Sequence, residues 1–127
     1  MEIYFGEGMK VYADYKGHTI VTDQPVKSGG DDTASAPFDL FLASLGTCAG
    51  FYVKMFCVQR NIPADGITLD LETEYNTAEH MIGKVIIKIN LPVDFPDKYK
   101  SAVIAAAESC AVKKHIQRPP AFEVVAI

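Results

Sequence analysis

The spacing of apolar positions changes several times along this chain, and each change marks an element. Residues 2–12 and 18–23 alternate as β-strands do, and "YKGHT" (residues 15–19) supplies a Gly-containing turn between them. The next segment, "DQPVKSGGDDTASA" (residues 23–36), is polar and glycine-rich. A loop of that length inside a compact domain is usually a functional or mobile one. Pro37 suits a first helical position, where its missing N–H is not needed, and Ser35 is the expected N-cap. From Pro37 to Arg60 the helical pattern is apolar on nearly every side, which predicts a buried helix. Asn61-Ile62-Pro63 should end it.

Strand periodicity then returns. In "GITLDLETEYN" (residues 66–76), Ile67, Leu69 and Leu71 alternate with Thr68, Asp70 and Glu72, and "HMIGKVIIKINLPV" (residues 80–93) alternates similarly. Both read as half-buried antiparallel strands. Pro96 opens a second helix, "DKYKSAVIAAAESC", and a shorter helical turn, "AVKKHI", follows Cys110. Pro119-Pro120 breaks that turn, and "AFEVVAI" (residues 121–127) is expected as a closing strand. The order β-β-α-β-β-α-α-β describes an α+β fold with helices gathered against a curved antiparallel sheet.

Composition sets the limits around this pattern. A chain of 127 residues fits one domain spanning residues 1–127, large enough to bury a core without staples. Apolar residues at 49% and charged residues at 22% are ordinary for a globular protein. A net charge of −4 argues against nucleic acid or an anionic membrane as the main partner. The start, Met1-Glu2-Ile3-Tyr4-Phe5, lacks the basic residues and apolar run of a signal peptide. Only 14 uncharged residues separate Asp39 from Lys54, fewer than a bilayer requires. A cytoplasmic location is the expectation, and there Cys48, Cys57 and Cys110 would not form a structural disulfide framework. No CxxC or HxxxH spacing occurs, so no metal site is expected.

The chemistry centres on "FLASLGTCAGFYVKMFC" (residues 41–57), where only Gly46, Thr47, Ala49 and Gly50 surround Cys48. Glycine inside a helix costs roughly 0.8–1 kcal/mol relative to alanine, so two of them imply a packing reason. Ala43, Gly46 and Gly50 form a stripe of small residues, answered on the second helix by Ala102, Ala105 and Ala106, and the two helices are expected to cross closely there. Cys48 shares a helix face with Ser44 and Tyr52. Cys57 lies about two and a half turns further on, faces the other way, and reads as core. Cys110 falls near the start of "AVKKHI"; if Ser109 caps that segment, the helix dipole favours a thiolate at Cys110.

Two stretches carry a family resemblance. "SGGDDTASAPFDLFLASLGTC" (residues 28–48) resembles the first signature of the OsmC/Ohr family: a Gly-rich loop, a proline, an acidic-Leu pair, then small residues leading to a cysteine. "AAAESCAVKKHI" (residues 105–116) is similar to its second motif. The resemblance covers nearly the whole chain. It implies an OsmC-like fold, a curved sheet on two long helices in an intertwined homodimer, with active sites near the subunit interface. In the family's peroxidase branch one cysteine attacks a hydroperoxide and a second resolves the sulfenic acid into a disulfide. Position by position, those roles fall to Cys48 and Cys110. The family implies no cofactor and no metal, and an unidentified dithiol reductant would recycle the pair in an oxidative-stress response.

Departures from that branch bear on the chemistry. The organic-hydroperoxidase members carry a glutamate directly after the proline, paired with an arginine of the first hairpin. Here Phe38 follows Pro37, Asp39 comes one place later, and the first hairpin offers Lys16 and His18. Lys16, His18, Ser44 and Asp39 are therefore the candidates for assisting Cys48. Arg60 lies 12 residues along the helix, about 18 Å away, and cannot serve that site. Buried mid-helix without dipole help, Cys48 is expected to be a poor thiolate. Three functions stay open at this point: a thiol peroxidase, a module binding a small hydrophobic or sulfur-containing ligand, and a domain in which Cys48 is packing only.

Overall fold

The computed structural model describes residues 1–127. Its contacts divide the chain into two compact units, residues 1–43 and 44–127.

The first unit is built on a three-stranded antiparallel sheet of β1 (Glu2–Phe5), β2 (Val11–Tyr15) and β3 (His18–Thr22), in that order. The single strand expected over residues 2–12 is therefore two. Gly6 N–H donates to Lys10 O and Lys10 N–H to Glu7 O, with Gly8 at φ 62°, so the chain reverses inside the apolar run. The second reversal is the expected one. Lys16 and Gly17 both have positive φ between the paired residues Tyr15 and His18, the geometry of a type I′ hairpin turn.

Residues 24–36 form a loop held by one side chain. Asp23 is 1% exposed, and its carboxylate accepts hydrogen bonds from Gln24 N, Asp31 N, Thr33 N and Thr33 Oγ1 at 2.7–3.3 Å. Asp23 N–H reaches across to Ser35 O, which draws the two ends of the loop together. The Thr33 hydroxyl and amide, with the Gln24 amide, lower the Asp23 pKa to about 2 against the smaller opposing effect of burial.

Helix α1 (Pro37–Gln59) follows directly, with Pro37 in its first turn as expected. Ala36, rather than Ser35, precedes it and accepts from Leu40 N–H. At its other end Asn61 adopts φ 54°, Ile62 N–H bonds Cys57 O and Asn61 N–H bonds Val58 O, a Schellman termination. Asn61 can do this because it tolerates the left-handed region.

In the second unit β4 (Thr68–Asn76) and β5 (Met81–Asn90) form a separate two-stranded antiparallel sheet. The strands thus make two sheets, not the one curved sheet expected. The Asn76 side chain accepts from Ala78 and Glu79 N–H to turn the hairpin. Lys88 pairs with Glu72 and Lys84 with Glu74 across the strands, which keeps that face solvated. After a 3₁₀ turn at residues 97–99 come two short helices, α2 (Lys100–Ala107) and α3 (Ala111–Gln117). Only α1 is long. Residues 119–127 form no strand; Phe122 and Val124 are exposed.

The core joins Val53, Phe56 and Cys57 of α1 to Phe95 and to Val103 of α2. Ala102, Ala106 and Ala107 pack around it. The glycine stripe does something other than expected. A Cβ on Gly46 would meet Leu71 Cδ1 at 3.9 Å and one on Gly50 would meet Leu69 Cδ1 at 4.0 Å, so this face of α1 lies on β4. Helices α1 and α2 meet through Val53, Phe56, Cys57 and Val103 in the core cluster. By length and composition α1 is also apolar enough to cross a membrane, but it carries Lys54 and commits Val53, Phe56 and Cys57 to the protein core.

Candidate functional site

Helix α3 begins at a cysteine. Cys110 is its N-cap, with φ −50° and ψ 121°, and Cys110 Sγ accepts from Lys113 N–H at 3.4 Å. A thiol here takes the part usually played by a serine or aspartate side chain. Ser109, the cap expected from sequence, instead turns its hydroxyl back to Ala105 O.

The first amides of a helix have no partner inside it. The amides of Val112 and Ala111 at the start of α3, and the Cys110 thiol, all act to lower the Cys48 pKa. Of the first amides of α3, that of Lys113 goes to Cys110 Sγ. Cys48 is partly exposed, whereas Cys110 is 2% exposed.

This arrangement separates the two thiols chemically. Burial pushes Cys48 up, but the Val112 amide, the Cys110 thiol and the Ala111 amide outweigh it, and the Cys48 pKa falls below the ordinary value. Burial pushes Cys110 up, the Lys113 amide opposes it, and the hydrogen bond given to Cys48 and the charge there raise it further. Of the two, Cys48 is the more readily ionised. Mid-way along α1, Cys48 has no dipole help from its own helix, as expected; the amides that lower it belong to Val112 and Ala111, backbone groups that carry no side-chain signature.

The other candidates are placed as follows. Lys16 is exposed in the β2–β3 turn and His18 is exposed at the start of β3, with Lys16 Nζ 5.2 Å from the Tyr15 ring centroid. Asp39 is exposed in the first turn of α1, where a carboxylate suits the helix dipole. Phe38, which stands in the place of the family glutamate, is exposed and lies against Phe41. Ser44 is partly buried, and its carbonyl accepts from Thr47 Oγ1 at 3.4 Å. Arg60 sits with its guanidinium 3.9 Å from the Phe56 ring centroid and Nη1 on Phe56 O, committed to the core rim. Arg118 caps the opposite end of α3 from the two sulfurs. Cys57 is fully buried in the core cluster, as its helical phase predicts, and burial raises its pKa while Arg60 opposes. No group of three or more His, Cys, Asp or Glu residues could hold a metal ion.

The family profile described as "OsmC-like protein" matches residues 29–125, a span that includes both sulfurs. The chain belongs to the OsmC-like family. No curated protein matches it. Solved structures share its fold. A protein from Psychrobacter arcticus 273-4, assigned to the osmotic stress induced and detoxification response, is 23% identical with a TM-score of 0.75, over 89% of this chain and 84% of its own. An organic hydroperoxide resistance protein, OsmC, from Legionella pneumophila is 19% identical with a TM-score of 0.60, over 91% and 86%. The organic hydroperoxide resistance protein OhrB of Bacillus subtilis is 18% identical with a TM-score of 0.54, over 90% and 87%. The α+β, OsmC-like fold read from the sequence is the fold observed.

Proposed function

We propose that this OsmC-like protein is a thiol-dependent reductase of organic hydroperoxides, with Cys48 as attacking group and Cys110 as resolving group. The observation that carries the reading is the polarity of the pair: one sulfur is lowered by two backbone amides and a thiol, and that thiol is the other, raised sulfur. Attack on a peroxide requires thiolate, and resolution requires a second thiol within bonding reach. A thiol that only filled space would need neither. Hydroperoxide resistance in the names of two structural neighbours agrees with this chemistry.

In the first step the Cys48 thiolate takes the terminal oxygen of the hydroperoxide. An S–O bond forms and the O–O bond breaks, leaving a sulfenic acid and an alcohol. The sulfur of Cys110 then attacks that of Cys48 and expels the oxygen as water. A dithiol reductant returns the disulfide to two thiols. No metal or organic cofactor enters these steps. The groups that lower Cys48 are two backbone amides and a thiol, so this reading assigns no step to Lys16 or His18.

The protein acts in this reading as a cytoplasmic homodimer. On α1, Phe51, Met55 and Val58 follow helical spacing, and all three are exposed. An apolar stripe of this kind is the mark of a covered surface, and a second copy is the occupant proposed. Sedimentation at micromolar concentration should give the dimer mass; a monomer would remove this part of the reading. The chemistry is tested by mapping peptides after one equivalent of cumene hydroperoxide. A Cys48–Cys110 disulfide with Cys57 reduced supports it. A bridge that includes Cys57, or three free thiols, overturns it.

A further inference from the structure

Helix α3 is short and lightly held. Its seven residues, Ala111–Gln117, fall below the roughly 12–15 at which an isolated helix becomes even marginal in water, and none of them is buried. Residues 119–127 beyond it form no strand. Packing therefore contributes little, and the ends of the helix carry more of its stability. At the leading end the cap is the Cys110 side chain, whose Sγ accepts Lys113 N–H at 3.4 Å while the residue itself is 2% exposed. The same turn is spanned by an ion pair between Glu108 and Lys113 at 3.9 Å, open to solvent and so worth little.

We propose that Cys110 makes α3 a redox-sensitive element: once its sulfur is bonded in a disulfide, the cap is withdrawn and residues 111–127 loosen. This rests on the peroxidase reading above and adds regulation to the same site. In that reading two thiols and R–O–OH give one disulfide, R–OH and water, and a dithiol reductant returns the disulfide to two thiols. The sulfur that resolves is thus the sulfur that caps. As a thiol it is free to turn toward the Lys113 amide. In a disulfide the S–S bond sets its direction instead, and a sulfur sharing electrons with a second sulfur is the weaker acceptor.

The loosened state has a use in the cycle. A dithiol must reach a sulfur in order to attack it, and Cys110 is buried while α3 stands closed. Uncapping opens the chain on the C-terminal side of that sulfur, at the stage when the reductant is needed. Reduction restores the thiol, the cap and the closed helix.

Amide exchange at Lys113, read by NMR, tests the switch in reduced wild type, in wild type after one equivalent of cumene hydroperoxide, and in Cys110→Ser and Cys110→Ala. Peptide mapping of the same samples establishes whether the disulfide has formed. Serine is a good N-cap but forms no disulfide. Exchange at Lys113 should quicken about fivefold or more on oxidation of wild type, return to its first rate on reduction with dithiothreitol, and leave the β4–β5 amides unchanged. Cys110→Ala should exchange quickly without peroxide, and Cys110→Ser slowly with or without it. Where the alanine variant fails to fold, wild type and the serine variant decide alone. A mapped disulfide with Lys113 still protected, or Cys110→Ser loosened by peroxide as much as wild type, overturns the switch and leaves the peroxidase reading standing. Three free thiols after peroxide remove both.

Discussion

Cys48 and Cys110 shift each other's ionisation in opposite directions: the Cys110 thiol lowers Cys48, and Cys48 raises Cys110. This couples the last residue before α3 to the middle of α1 and makes Cys48, the less buried of the two, the more readily ionised. Thiol reagents and peroxides would therefore meet the reactive sulfur first.

Alkylation should report this order directly. Cys48 should react with iodoacetamide at a lower pH than an ordinary thiol, and Cys110 and Cys57 only at higher pH or on unfolding. For Cys48, whose folded pKa is lowered, the stabilising contribution is present above its unfolded value and is lost as pH falls through the folded one. For Cys110 and Cys57 the folded values are raised, so their contributions are present below the unfolded value and lost as pH rises. Alkaline pH should thus weaken the fold while Cys48 reactivity persists. Mass mapping across a pH series checks the order.

Cys57 should matter for stability alone. It is fully buried among Val53, Phe56, Phe95 and Val103. Cys57→Ser places a hydroxyl in that apolar cluster and should cost about 1–3 kcal/mol, with the alanine variant less affected. Neither should change hydroperoxide turnover. Chemical denaturation and steady-state assays on the same preparations test both statements.

The loop ahead of α1 should behave as a fixed structure held by Asp23. Its carboxylate, lowered from 3.8 to about 2, stabilises the loop above 3.8, and that contribution is lost as pH falls through 2. Amide exchange at Asp31 and Thr33 should remain slow at pH 4 and should quicken about tenfold or more in Asp23→Ala. Gly30→Ala should open the same loop. A Cβ there would lie 2.0 Å from Gln24 O and 2.8 Å from Asp23 Oδ1, and backbone must move to admit it, at about 1–3 kcal/mol.

Much of this was legible in residue order because it depends on local spacing. The limits of α1 follow from Pro37 and Asn61, and the β4–β5 hairpin follows from alternation between Ile67 and Ile89. Helical phase turns Cys57 away from Cys48 and into the core, where it lies. What escaped was non-local. The reversal at Gly6–Lys10 hides in an apolar run, since a turn there needs only Gly8 at positive φ. Small residues at 46 and 50 announce a close neighbour without naming it, and it is Leu69 and Leu71 rather than α2. The amides of Ala111 and Val112 were invisible because every residue but proline has one. Residues 121–127 alternate as a strand does, yet a strand requires a partner, and they pair with neither sheet.

The central claim is that Cys48 is the attacking thiolate of a hydroperoxide reductase. Stopped-flow consumption of cumene hydroperoxide by reduced wild type, Cys48→Ser and Cys110→Ser measures it most directly. Wild type should consume one equivalent per chain with loss of two thiols. Cys110→Ser should form a sulfenic acid at Cys48 and stop, since nothing resolves it. Cys48→Ser should consume none. A Cys48→Ser protein that reacts as fast as wild type would contradict the account and return Cys48 to packing.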